Sequence, residues 1–204
     1  LDWTERGRHS PRMTRWKSML DGWALGAFPK APEWPAKNME GGTPPGQERF
    51  TSGLWSLFHI LSVSQAPQRP GPAAVMAGVE VFVDNFFGCA QCRTHFLSMY
   101  NNCDNGRCAI LAHLGGEGGD AAGSNPGAER ALALWLWRAH NSVNKRLAQA
   151  NGVAFDDLHM SAWPSRSDCP DCWLGVTDYG APMWDEGQVH EYLRRAYWCP
   201  EWPS

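Results

Sequence analysis

The tightest constraint in this sequence is the stretch Phe87-Gly88-Cys89-Ala90-Gln91-Cys92-Arg93-Thr94-His95-Phe96, where two thiols stand two residues apart directly after an apolar run and a glycine. A helix starting there gathers unpaired backbone N–H groups near the first thiol, and these groups and the helix dipole stabilise a thiolate, the reactive form of cysteine. Cys89 and Cys92 can close a small ring and cycle between dithiol and disulfide. A thiol that cycles needs an acceptor for its electrons, which the rest of the chain must supply. Taken alone, the stretch is equally a thioredoxin-like motif, a staple or half of a zinc site.

The other cysteines fall as Cys103/Cys108, Cys169/Cys172 and a lone Cys199. Short-range pairs in a chain rich in Pro, Gly and Trp point to an oxidising compartment or to a metal site. The chain's 204 residues suffice for one good core. Its net charge is −3, with no block of five basic residues, so nucleic acid is not suggested. No apolar run reaches the roughly 18 residues of a membrane helix. Twelve tryptophans suit a protein that stacks on a flat aromatic ligand. The first residue is Leu1 rather than Met, as expected of a mature or trimmed piece.

Residues 1–47 read as a linker with one short helix, Met13 to Leu25, before a stretch broken by Pro and Gly. The next helix is expected to start near Thr51 or Ser52, with Leu54, Leu57, Phe58 and Leu61 on a core face and Trp55 and His59 on an adjoining stripe. Gln65 to Pro72 ends it. A second helix, Ala73 to Phe87, turns Val75, Val79, Phe82, Val83 and Phe86 inward, with a strand at Val79 to Val83 as the competing assignment. A third carries Cys89, Cys92, His95, Phe96 and Met99. Asn101 to Gly127 reads as a loop, in which Cys103 and Cys108 form a local structural disulfide rather than a second redox centre. Gly116-Glu117-Gly118-Gly119-Asp120-Ala121 mimics a dinucleotide fingerprint, but Pro126 and Gly127 interrupt the helix it requires.

Glu129 to Gln149 reads as a fourth helix, with Leu132, Leu136, Ala139, Val143 and Leu147 as its core stripe. Beside that stripe Trp137, His140, Asn141 and Asn144 fall at i, i+3, i+4 and i+7, on one face. Two amides and an imidazole beside a core stripe suit hydrogen bonding to a polar, flat ligand. Phe155 to Trp163-Pro164 is irregular and leads to Cys169-Pro170-Asp171-Cys172. A last helix, about Asp185 to Trp198, faces the bundle with Val189, Tyr192, Leu193, Ala196 and Tyr197.

Three stretches together resemble the Erv-type flavin-dependent sulfhydryl oxidase module: Gly53-Leu54-Trp55-Ser56-Leu57-Phe58-His59, Phe86 to Phe96 around the Cys-x-x-Cys, and Leu134 to Ala148 with its His140-Asn141-Ser142-Val143-Asn144. Trp163-Pro164, then Cys169-x-x-Cys172 and Met183-Trp184-Asp185, resemble the quiescin sulfhydryl oxidase version. The resemblance implies an all-α fold over residues 48–204, a four-helix core plus a short extra helix, binding FAD. It implies oxidation of two thiols to a disulfide with O₂ going to hydrogen peroxide. Cys89 then corresponds to the interchange thiol and Cys92 to the flavin-proximal thiol, in charge-transfer contact with the ring. Positions matching cofactor contacts are Arg49, Trp55, His59, Gln91, His95, Trp137, His140, Asn141, Val143, Asn144 and Trp163. Cys169/Cys172 corresponds to a mainly structural third pair, and no metal is implied.

Ser52 stands where many quiescin oxidases have a cysteine, and no cysteine precedes Cys89. The quiescin enzymes also carry a thioredoxin-like shuttle domain, which this chain lacks. Its electrons are therefore expected from thiol substrate proteins or from an upstream thioredoxin-like domain, with residues 1–47 as the end of a helical spacer. The expected location is the secretory pathway or extracellular space, with the mitochondrial intermembrane space as the alternative. Two rival readings are a Cys₄ zinc module using Cys89, Cys92, Cys169 and Cys172, and a non-catalytic helical domain stapled by disulfides.

Overall fold

The structure, a computed structural model, describes residues 47–64, 70–114 and 126–198, with the side chains of 47–50, 111–114 and 155 outside that description. The expected Met13 to Leu25 helix, the Gly116 to Ala121 stretch and Cys199 lie outside the described residues. The fold is mostly helical, as expected.

Helix α1 is Gln47–Val63, so it begins a turn before the expected Thr51. Its Leu54, Phe58 and Val63 are buried, and His59 and Ser62 are buried with them. Helix α2, Pro72–Phe86, opens on a proline, which loses nothing at a helix start where the N–H has no partner. Val75, Val79 and Val83 are buried at i, i+4 and i+8 with Met76, which settles the strand alternative in favour of a helix. Phe86 departs from expectation and is 46% exposed, because the helix ends there and Phe87 turns the chain into extended backbone.

Helix α3, Ala90–Asn101, has Cys89 as its N-cap and buries only Phe96. The stretch expected to be a loop instead holds a 3₁₀ turn, Asp104–Gly106, and helix α4, Arg107–Leu114. The Cys103–Cys108 disulfide spans that turn. Its short apolar run Ala109-Ile110-Leu111-Ala112 gave too little periodicity to stand out from the surrounding Gly and Asn, but Ile110 is buried in the core.

Helix α5, Pro126–Ala150, is the axis of the molecule. Leu132, Ala133, Leu134, Trp135, Leu136 and Trp137 are all buried, although they point all around the helix. A helix buried on every side must have partners on every side. Leu132, Trp135 and Leu136 join a core with α1, α2, α3 and Ile110 of α4. Ala133, Leu134 and Trp137 join a second core with Val63, the Cys169–Cys172 disulfide, and Val189 and Leu193 of helix α6, Glu186–Tyr197. The expected single stripe is thus too narrow at this end and too long at the other, where Val143 is half-buried and Leu147 is 41% exposed. Ala196 of α6, expected inward, is exposed.

The expected irregular stretch before Trp163 contains a 3₁₀ helix, Phe155–Ser161, and another 3₁₀ turn, Pro170–Cys172, holds the last disulfide. Strands β1, Trp173–Val176, and β2, Pro182–Trp184, pair antiparallel in a small hairpin that periodicity did not reveal. It packs Trp173 against Trp184 with ring centroids 4.5 Å apart and Trp184 against Trp137 at 5.2 Å. Among the described residues, Trp137, Trp173 and Trp184 thus pack together in this second core.

Candidate redox and cofactor site

Cys89 and Cys92 are joined as a disulfide, both half-buried, with Cα atoms 5.3 Å apart. Cys89 takes extended backbone angles just ahead of α3, and its Sγ accepts a hydrogen bond from the Cys92 N–H at 3.2 Å. The N-terminus of α3 therefore points at the Cys89 sulfur, as its place after Gly88 suggested. The Arg93 guanidinium donates to the Asp84 carbonyl at 3.4 Å, tying the first turn of α3 to the last turn of α2. Gln91 and His95 are exposed on α3, His95 one turn beyond Cys92. Phe96 of the same helix and Trp55 of α1 pack on the same core.

The second part of the site is an aromatic cluster assembled from four segments. Trp55 lies flat on His140, with centroids 4.2 Å apart and planes 7° from parallel. That is contact distance, so a flat ligand would stack on an outer face and not between them. His59 and His140 share a hydrogen bond of 3.2 Å between Nε2 and Nδ1. Trp163 lies 4.8 Å from His59 and 4.9 Å from His140, and Tyr197 of α6 lies 5.2 Å from His59. Burial, with the neighbouring His140, holds His59 well below the ordinary histidine range, and burial holds His140 down to about 3. Both rings are therefore neutral planes at physiological pH and contribute no counter-charge. The Tyr197 hydroxyl is pushed up to about 12, chiefly by burial.

Asn141 and Trp137 serve Trp163. The Asn141 amide donates to the Trp163 carbonyl at 2.7 Å and accepts from the Trp163 N–H at 2.8 Å, and the Trp137 indole donates to the same carbonyl at 2.7 Å. A two-sided amide clamp of this kind fixes an otherwise irregular segment, and the Trp163–Pro164 peptide within it is cis. Asn144, half-buried, lies one turn beyond Asn141. Trp137 and Asn141 also line a cleft of about 320 Å³ with Lys145, Leu158, Tyr179 and Trp184. Arg49 sits in the first turn of α1, where side chains are not described.

One polar atom bears on a cofactor. Nδ1 of His59 is buried and has no hydrogen-bonding partner among the described residues. Buried polar atoms normally have one. An orphaned imidazole nitrogen beside stacked, neutral aromatic planes fits a flat, hydrogen-bonding ligand such as FAD. Tyr197 was placed on the bundle-facing stripe of the last helix by spacing, but its stacking on His59 carried no sequence signal. The rival Cys₄ arrangement is not formed, since its four sulfurs are spent in two separate disulfides.

A model of the Erv1 / Alr family matches residues 52–164, more than half of the chain. The chain is 32% identical over 151 residues to sulfhydryl oxidase 1 of Arabidopsis thaliana, covering 72% of this chain and 24% of that protein. It is 30% identical over 161 residues to sulfhydryl oxidase 1 of Gallus gallus, covering 76% of this chain and 18% of that one. Against sulfhydryl oxidase 1 of Homo sapiens it is 30% identical over 168 residues, or 78% of this chain and 19% of the human protein. The chain thus spans about a quarter or less of the relatives it matches.

Proposed function

We propose a function for this chain from one premise: it belongs to the Erv1 / Alr family. The function is flavin-dependent thiol oxidation, in which two thiols become a disulfide and O₂ becomes hydrogen peroxide. What carries the reading is the Cys89–Cys92 disulfide set at the start of α3, with the Cys92 N–H directed at the Cys89 sulfur.

A substrate thiolate attacks Cys89 Sγ, the Cys89–Cys92 bond breaks, and Cys92 leaves with the electron pair. A second substrate thiolate then attacks the mixed disulfide at the substrate sulfur, releasing the oxidised substrate and a Cys89 thiolate. The N–H groups opening α3 favour that negative charge. FAD, when bound, supplies the two-electron acceptor for the resulting dithiol and passes electrons to O₂, chemistry that side chains do not perform.

Trp55, His59, His140 and Trp163 offer it flat neutral faces, while Gln91, His95 and Asn144 offer polar contacts. Trp137 and Asn141 hold Trp163 in position, and Arg49 and Val143 join this set by their place in the family pattern. The electron donor is a protein or small-molecule dithiol, or a thioredoxin-like domain, and three disulfides favour an oxidising compartment such as the secretory pathway. Among the described residues no helix is long and apolar enough to cross a membrane.

The purified chain should show flavin absorption near ~450 nm and consume O₂ with dithiothreitol. Cys92→Ser should end that turnover while flavin stays bound. A chain that takes up no flavin sinks the reading, and full turnover in Cys92→Ser refutes the assignment of the proximal thiol.

A further inference from the structure

We propose that Cys103–Cys108 is a second thiol–disulfide exchange site, opened by a small monothiol of the glutathione class and independent of the first pair. The two pairs lie at opposite ends of α3, whose twelve residues span roughly 18 Å, too far for direct exchange between them.

Three observations converge on this pair. Its first cysteine is held in an unfavourable form: Cys103 has φ +62°, in the left-handed region that a cysteine seldom occupies, whereas Asn105 at +58° and Gly106 at +82° are residue types that enter it readily. Its two cysteines are unequal, Cys108 being an exposed residue and Cys103 a half-buried one. Finally, the half-buried cysteine has a cation beside it. Arg107 Nη2 donates to Cys103 Sγ at 3.6 Å. That guanidinium is held in place by the Tyr100 carbonyl, to which Nε donates, and by the Tyr100 ring 4.0 Å below it. Cys169 and Cys172, 3% and 0% exposed in the second core, have no such opening.

The asymmetry sets the direction of exchange. An external thiolate attacks the Sγ of the exposed Cys108, the Cys103–Cys108 bond breaks, and Cys103 leaves as a thiolate beside Arg107. A leaving sulfur of lower basicity departs faster, and stabilising the thiolate also favours the reduced state. A second monothiol then attacks the mixed disulfide at its own sulfur, releasing the oxidised monothiol and the Cys108 thiolate. The same couple run backward restores the bond. Opening the ring frees a loop tied to α5 through the Asp104 carbonyl, which accepts from the Trp135 indole at 3.3 Å, and through Asn105, which accepts from Ser142 at 3.2 Å. This refines the expectation of a purely structural link.

The test uses the full chain carrying Cys89→Ser and Cys92→Ser, to silence the first pair. It is equilibrated without oxygen in glutathione buffers of varied ratio, alkylated, and read by mass spectrometry. Cys103–Cys108 should reach half-reduction at an equilibrium constant shifted by at least about tenfold toward reduction relative to Cys169–Cys172. The glutathione adduct should be trapped on Cys108. Arg107→Gln should slow opening and move the midpoint back, and Arg107→Lys should restore part of both. A pair that stays oxidised wherever Cys169–Cys172 does overturns the proposal without need of an Arg107 variant. So does an adduct found on Cys103, or an Arg107→Gln midpoint equal to that of the parent.

Discussion

Acidification should destabilise this fold through the paired histidines at its centre. In the folded chain burial keeps His140 neutral down to about 3 and His59 neutral well below the ordinary value of 6.5. In the unfolded chain both take up protons as the pH falls through about 6.5. The unfolded state then binds more protons, so stability falls as the pH drops below about 6.5, and for His140 it goes on falling until about 3. Each pH unit in that window costs about 1.4 kcal/mol per histidine, so at pH 5 His140 alone removes about 2 kcal/mol of stability, within a total of roughly 5–15 kcal/mol for an ordinary domain. His59 acts in the same direction, and the 3.2 Å hydrogen bond between the rings makes them titrate as a pair. Urea denaturation followed by circular dichroism between pH 7.5 and 5.0 measures the slope, with His140→Gln as the control. The variant should lose about 1.4 kcal/mol per pH unit of slope below pH 6. Equal slopes in the two proteins would refute the argument that burial holds His140 neutral.

Three further outcomes probe the surroundings of the site. Asn141→Ala strips the Trp163 N–H of its partner and should cost about 2 kcal/mol, with weaker flavin retention, read as a lower melting temperature and loss of absorbance near ~450 nm on gel filtration. Unchanged values would mean that the clamp does not position Trp163. Replacing Cys169 and Cys172 together by Ala releases a four-residue ring and should cost about 2 kcal/mol while turnover continues; lost turnover in a folded variant would make this pair an electron carrier. Gly180 has φ +70°, and a Cβ there would stand 2.6 Å from the Asp156 carbonyl oxygen, so Gly180→Ala should lower stability by about 2 kcal/mol. A neutral result in thermal denaturation would show that the hairpin loop is not seated on the Phe155–Ser161 turn.

The features legible in the sequence are those set over a few residues. Cys89 and Cys92 at a helix start, Val75, Val79 and Val83 on one face, and Trp137, His140, Asn141 and Asn144 on another all follow from helical spacing, which is a local property. The cap at Asp185, whose carboxylate accepts from the Gly187 and Gln188 N–H groups, is equally local, although the expected helix simply included that residue. Single-stripe reasoning failed on α5 because it assumes a helix lying on a surface, whereas six consecutive buried residues require neighbours on both sides. The β1–β2 hairpin carries no periodic signal because its strands are only four and three residues long and pair Trp173 with Trp184, Gly175 with Met183 and Val176 with Pro182, too few positions for an alternation to show.

By itself, then, the sequence determined which residues share a helix face and where a Cys-x-x-Cys pair meets a helix end. Only the tertiary structure decided that Trp163 and Tyr197 close over His59, and that Asn141 spends its amide on the Trp163 backbone. It also decided that the two imidazoles lose their charge. The physical reason is that stacking, clamping and desolvation are created between segments far apart in the chain, when the two cores close around α5. No spacing within one segment encodes the distance to another.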